Sequence, residues 1–358
     1  MSGRTISVPE DHTSWQTVGT GTNRMSVDDL LANDSDADHD ALTVVSVAGA
    51  GAALVDSGQS VELQGGVNSF TYTVSDGHVL TTATANVQQV APGGTMAGTS
   101  ADEIFVGTGS AETVNGGDGR DRIVGGGGND ILNGEASDDI IRGGVGDDTI
   151  DGGTGMDIID FSDAAAGIDV TLVQSAGNTT VNLVAAGLGT DTYRNIEGIF
   201  GTAFADTLHG TALNDYFNGG GGNDSLIGGG GSDTLIGGAG SDTFKWFNGD
   251  IASGAFDTLL DFETGAGGDI FDLSDALSGV SGNKADHVRT VYTADNFIQL
   301  ASATGAPHAA DGDIKIQVNL SGSTWTDVAV IHDTGANLSP GNEVIKMMLD
   351  STQIQVHV

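Results

Sequence analysis

The sequence predicts an all-β chain in three parts: a small β-sandwich over residues 1–92, stacked parallel coils over 93–246 and a β-rich cap over 247–358. Three observations carry that expectation. Apolar and polar residues alternate in the N-terminal part, a nine-residue period runs through the middle, and large aromatic side chains gather where the repeats stop.

In the N-terminal part the strand-like stretches are "ALTVVSV", "NSFTYTVSDG" and "TTATANVQQV". Phe70, Tyr72 and Val74 alternate with polar residues and so face one way, the pattern of a half-buried sandwich strand. Asp34, Asp36, Asp38 and Asp40 form a D-x-D-x-D-x-D run. That spacing suits one cation or a solvated turn, and the first three are candidate metal ligands. "LLANDSDADHDALTVVSV" followed by "FTYTVSDG" resembles the cadherin-like or Ig-like tandem modules of large bacterial surface adhesins. "APGGTMAGTS" (91–100) reads as a linker.

From Gly98 the chain divides into nines: GTSADEIFV, GTGSAETVN, GGDGRDRIV, GGGGNDILN, GEASDDIIR, GGVGDDTID and GGTGMDIID, ending at Asp160. A second run from Gly201 reads GTAFADTLH, GTALNDYFN, GGGGNDSLI, GGGGSDTLI and GGAGSDTFK. The eighth residue of every unit is apolar and the sixth is always an acid. The last three residues suit a short strand, and the Gly-, Asn- and Asp-rich first six turn the chain. Two units then make one coil, and stacked coils give two parallel sheets with the eighth residues between them. That core is one side chain wide per strand, and ordering so much glycine costs entropy.

The acids complete the account. Stacking places Asp121, Asp139 and Asp157 on one edge and Asp130 and Asp148 on the other. In the second run Asp206, Asp224 and Asp242 lie opposite Asp215 and Asp233. Carboxylates one layer apart, about 4.8 Å, repel unless a cation lies between them. Calcium accepts six to eight oxygens, including the carbonyls that glycine turns expose, whereas magnesium demands a stricter octahedron. The acids therefore read as calcium ligands, and bound calcium offsets what the thin core lacks.

The period G-G-x-G-x-D-x-U-x resembles the repeat-in-toxin (RTX), or haemolysin-type, calcium-binding nonapeptide. Seven units match in full. The resemblance implies a right-handed parallel β-roll, several bound Ca2+ ions, and export by type I secretion machinery to the extracellular space or cell surface. Four departures open the runs: GTSADEIFV and GTGSAETVN carry Glu103 and Glu112, and GTAFADTLH and GTALNDYFN lose glycines. Weak or absent calcium is expected there. Residues 161–200 break the count and are expected to form broader coils of the same roll.

After Lys245, "KWFNGDIASGAFDTLLDFETGAGGDIFDLSDAL" resembles the segment that closes repeat blocks in type I-secreted proteins. Asp257, Asp261, Asp269 and Asp272 are candidate ligands of one more ion, set against ordinary turn acids. Trp246, Phe247, Phe256, Phe262 and Phe271 are expected to cap the roll. By resemblance, the stretch ending "STQIQVHV" would contain an uncleaved secretion signal. No Sec-type signal peptide is expected, since the first thirty residues hold no apolar run.

Composition narrows the partners. Lys plus Arg is 11 against 49 Asp plus Glu, a formal charge of −38. That excess disfavours nucleic acid and anionic lipid. No apolar stretch is long enough for a transmembrane helix. With no cysteine, thiolate metal sites and disulfides are excluded. H-E-x-x-H, G-x-S-x-G and a Walker A motif are all absent, and the eight histidines are dispersed, so no catalytic residues are assigned. The expected role is a non-enzymatic, calcium-folded surface protein in adhesion, matrix or surface-layer assembly, with cell-surface polysaccharide or further copies of itself as partners. The alternative is an accessory module or secretion carrier of an extracellular polysaccharide-modifying enzyme. Because such modules come in arrays, the chain is also compatible with being the C-terminal part of a larger adhesin.

Overall fold

The computed structural model describes residues 6–7, 14–18, 23–27, 31, 35–36, 42–49, 51–55, 60–63, 69–90, 92–173, 179–247, 249–251, 255–263, 268–278, 288–293, 298–299, 313–318, 326–331, 344–348 and 353–357. These residues are almost all strand and turn, as the periodicities require. The chain forms two compact units, Met1–Ile159 with Gly177–Ile196, and Asp160–Ala176 with Glu197–Val358.

The first unit opens with a small antiparallel sandwich. Thr43–Ala48, Ser69–Ser75 and Leu80–Val90 form one meander, and Asn23–Ser26, Ser60–Leu63 and Ala52–Val55 form a second sheet. Phe70, Tyr72 and Val74 do face inward, packing with Val27, Val44 and Val61. The same cluster takes in Ile104 and Val106 from the first repeat. Ser14–Val18 explains how: it pairs parallel with Leu80–Val90 on one side and with Glu103–Val106 on the other. Sandwich and repeats are thus continuous through one sheet. Residues 92–100 are no linker, because Thr95–Ala97 is already a repeat strand, paired with Thr113–Gly117 and burying Met96.

Beyond that point the first unit is two parallel ladders. Thr113–Gly117, Ile131–Ala136, Thr149–Thr154 and Thr190–Arg194 stack in one sheet. Glu103–Val106, Arg122–Gly127, Ile140–Val145 and Ile158–Asp160 stack in the other. Registers such as Ile123↔Ile141 and Leu132↔Ile150 place each eighth residue over the one two units earlier. All twelve eighth residues are at most 1% exposed.

Residues 161–200 do more than continue broad coils, since they divide between the two units. Thr190–Arg194 stacks as a further layer of the first ladder, and Thr179–Asn182 turns back antiparallel along it. Asp169–Thr171 instead begins a sheet of the second unit.

In that second unit Asp169–Thr171, Thr207–His209, Ser225–Ile227, Thr243–Lys245, Ile270–Asp272 and Val344–Met348 stack in parallel. Gly198–Phe200, Tyr216–Asn218, Thr234–Ile236, Asp257–Leu259 and Thr326–Ile331 form the facing ladder. The end of the chain therefore extends both sheets, and antiparallel strands Gln353–His357 and Asp313–Val318 flank their last members. Trp246 and Phe271 stack at 4.1 Å, and Phe244 and Phe262 lie 5.7 Å apart. Of the expected cap, Phe256 is only half-buried and Phe247 is exposed, its ring beneath the Lys245 ammonium.

Candidate metal centre

Each repeat acid sits where the turn meets the strand, and its carboxylate runs back along the stack. Beyond the units that open each run, its Oδ1 accepts the backbone N–H of the acid one coil earlier. Asp121 donates to Asp139 at 2.7 Å, Asp139 to Asp157 at 2.9 Å and Asp130 to Asp148 at 2.8 Å. In the second unit Asp206 donates to Asp224 and Asp224 to Asp242, both at 2.8 Å, and Asp215 to Asp233 at 2.9 Å. The stacking read from the spacing is the stacking observed.

In six of these acids the second carboxylate oxygen has no such partner. Oδ2 of Asp121, Asp130, Asp139, Asp224, Asp233 and Asp242 is buried without a hydrogen-bond partner. Leaving so many buried acceptors unmet costs on the order of 1–3 kcal/mol each, more when charged. These atoms face a ready oxygen cradle. A Cβ on Gly125 would lie 2.5 Å from Asp130 Oδ2 and 2.6 Å from the Gly143 carbonyl oxygen of the next coil. The invariant glycine at the first position thus clears space at which a carboxylate and a carbonyl converge. Among the described residues no three acidic or histidine side chains gather at one point. An ion here must draw most of its oxygens from the backbone, which suits calcium and not a carboxylate-only cage.

Electrostatics point the same way. Burial pushes Asp121, Asp130 and Asp224 up to about 7, against the pull of the N–H bond each accepts, and neighbouring carboxylates add to the rise. Asp139 reaches about 9, with Asp121 and Asp157 on either side of it. Burial likewise raises Asp215 to about 7, and Asp206 and Asp242 are raised. Asp233 is raised by burial and by the adjacent Asp257 carboxylate. A divalent cation offsets that cost, since it supplies positive charge where water has been excluded.

The ladder is longer than the repeats. Asp191 accepts the Asp148 N–H at 2.9 Å and so adds a layer. Its signal is present in "AGLGTDTYR" (186–194), a unit lacking only the first glycine, but the irregular segment around it hides the period. Asp257 accepts from Asp233 at 3.0 Å, and also takes the Trp246 indole N–H at 2.6 Å. Asp269 accepts from Asp242 at 2.9 Å. Asp261 instead holds the N–H groups of Gly237 and Gly238, and Asp272 caps Ser274. The four cap acids expected to share one ion therefore do not form one cluster: Asp257 and Asp269 end different ladders. Asp34, Asp38 and Asp40 lie outside the described residues, and Asp36 is placed only as backbone, paired with Ile6.

A second ladder was not foreseen. The fifth-position side chains accept the N–H of the fifth residue in the following coil, in the opposite sense to the acids: Asp102 from Arg120, Asp138 from Met156, Asn214 from Ser232 and Asn223 from Ser241. Asx residues at this position tie the turns together on the solvent side.

Two family descriptions match the chain. "Bacterial Ig domain" covers residues 6–88, and "RTX calcium-binding nonapeptide repeat" matches in four copies, at 106–140, 125–159, 200–235 and 209–244. No curated protein matches. Among solved structures the chain is similar to the extracellular lipase LipA from Serratia marcescens, at 15% identity and a TM-score of 0.17. That similarity covers 72% of this chain and 42% of the lipase. The buried, metal-ready acid ladder and the matched repeats lead to one conclusion: residues 106–159 and 200–244 carry RTX calcium-binding nonapeptide repeats, preceded by a bacterial Ig domain at residues 6–88.

Proposed function

We propose that the protein is a secreted, calcium-folded surface protein that works by binding and assembly, in adhesion, matrix or surface-layer formation, and carries out no catalysis. Asp121, Asp130, Asp139, Asp148, Asp157, Asp224, Asp233 and Asp242 form the ladder edges assigned to its calcium. The observation that carries the reading is the shared core of Ig module and roll, where Ile104 and Val106 of the first repeat pack with Phe70, Tyr72 and Val74. A module built into the end of the roll is presented by it, so calcium that folds the roll also fixes what the module displays. The charge of −38 supports the same reading. Without calcium, repulsion opposes both folding and close approach of copies. Extracellular calcium modules work at about 10⁻⁴–10⁻³ M, far above cytosolic levels, which suits a chain that folds after type I export.

The test is to add calcium to the purified full chain and follow light scattering and binding to a glycan array, with polysaccharide lyase, epimerase and hydrolase assays alongside. Calcium-dependent assembly or glycan binding without turnover is expected. Reproducible product from any polysaccharide would replace this reading with an enzymatic one. A folded, monodisperse protein that binds nothing would instead favour a secretion carrier.

A further inference from the structure

The repeats contain two kinds of turn. In the four units that open the runs, the second residue is threonine, and it holds its own acid. Thr99 donates its N–H to Glu103 Oε2 at 2.9 Å and its hydroxyl to Oε1 at 2.7 Å. Thr108 does the same to Glu112, at 3.0 and 2.9 Å. Thr202 and Thr211 donate their N–H groups to Oδ2 of Asp206 and Asp215, both at 2.6 Å, and their hydroxyls bond the same carboxylates. Each threonine oxygen also accepts the N–H two residues on, at Ala101, Ser110, Phe204 and Leu213.

The other turns differ in backbone and in bonding. Their second residue is left-handed, as at Gly117, Gly126, Gly220, Gly229 and Gly238, with φ between 90° and 119°. A β-branched residue enters that region only with strain, so threonine keeps the other conformation. In these five turns Oδ2 of the acid is the atom left without a hydrogen bond, in Asp121, Asp130, Asp224, Asp233 and Asp242. The unit GEASDDIIR separates conformation from composition. Glu135 stands where glycine is usual, yet it has φ 78°, and Asp139 Oδ2 is left without a hydrogen bond like the others.

We infer that the second residue of each unit decides whether its turn supplies calcium with a carboxylate oxygen: left-handed turns do, including the one at Glu135, and the Thr99, Thr108, Thr202 and Thr211 turns do not. The physical reason is competition for one oxygen. An amide hydrogen directed at Oδ2 places positive charge where the ion would sit, and calcium would have to displace two hydrogen bonds to enter. Threonine stands in for the metal. Each run thus opens with a coil whose two edges are satisfied without calcium, a template on which the metal-dependent coils stack. In the first unit that coil also lends Ile104 and Val106 to the Ig core.

This rests on calcium binding by the glycine turns, and the experiment separates the two ideas. Calcium bound per chain is measured by equilibrium dialysis and calorimetry on the full protein, with circular dichroism confirming the fold in calcium. Thr202→Gly with Thr211→Gly is expected to raise the count above the parent's. Glu135→Thr is expected to lower it, and Glu135→Gly to leave it unchanged. Unchanged counts in the threonine double variant and in Glu135→Thr would overturn the inference. If the double variant fails to fold, the Glu135 pair decides alone: equal counts for threonine and glycine there overturn it. A parent protein that binds no calcium would refute the calcium assignment itself.

Discussion

Tyr72 in the Ig module and Asp139 in the repeats are both completely buried, yet they are held in opposite ways. Tyr72 lies among Phe70, Val61, Val74 and Val44, an apolar cluster several side chains across. Asp139 sits on a stack of carboxylates, beside Ile141, whose apolar ladder is one side chain wide. Burial of apolar area, worth roughly 25 cal/mol per Å², can hold the first without help. It cannot hold the second, where each coil adds two ionisable groups to the interior. Two β regions joined through one sheet are therefore expected to draw their stability from different sources, one from water exclusion and one from a bound ion.

The most severe way to break that contrast is to remove the ion. Excess chelator at neutral pH is expected to abolish most of the β signal of residues 98–275 while leaving a protease-resistant Ig module. Full β content in chelator would show that the repeats need no metal. Core truncation is the next largest effect. Tyr72→Ala should cost about 3–5 kcal/mol whatever the calcium concentration. Leu132→Ala should cost about 2–5 kcal/mol, but its loss should be recovered by raising calcium, because the ion binds only the folded roll. Denaturant titrations at two calcium concentrations test both, and equal calcium sensitivity for the two variants would erase the distinction.

Protonation should act in opposite directions on the two regions. Asp121, Asp130 and Asp224 are raised to about 7 in the fold. A carboxylate raised on folding stabilises the fold below its ordinary range, and that stabilisation is lost as pH rises through the folded value. Metal-free repeats should therefore hold more β structure at about pH 5 than at about pH 8, with calcium affinity falling as pH drops below about 7. Asp76 in the Ig module is held below the usual carboxylate range by the Val79 N–H, with burial opposing it and the His78 N–H assisting. Its contribution is present above that range and fades as pH falls through it. Identical dichroism of chelated protein at the two pH values would contradict the first expectation. The smallest effect belongs to the surface. Arg120 and Asp102 pair at 2.9 Å with the arginine side chain half exposed, so Arg120→Ala should cost under about 1 kcal/mol and leave the calcium count unchanged. A drop in bound calcium would mean that the solvent-side ladder sets the geometry of the metal turns.

Much of the site was legible before any coordinates. A strict period needs only counting, and the period placed every eighth residue inside and every repeat acid on its edge. Asp191 escaped because a stretch of another geometry, Thr179–Asn182 and the turn after it, separates it from the unit it stacks upon. The cap acids were grouped by nearness in sequence, and the fold sends Asp257 and Asp269 to different ladders because their strands join different sheets. The stretch 91–100 looked like a linker because glycine and proline punctuate it, yet Met96 completes the apolar ladder.

What the sequence by itself determined is the chemistry of one coil: strand, turn, apolar ladder, acid edge and the ion that such an edge demands. These follow from interactions between a unit and its copies, and the copies are written in the chain. Only the tertiary structure decided where the ladders end, that the Ig core reaches into the first repeat, and which turns close on threonine. Those depend on contacts between unlike segments and on the backbone angle at a single residue. Nothing in a repeat pattern reports either one, because the pattern records what the units share.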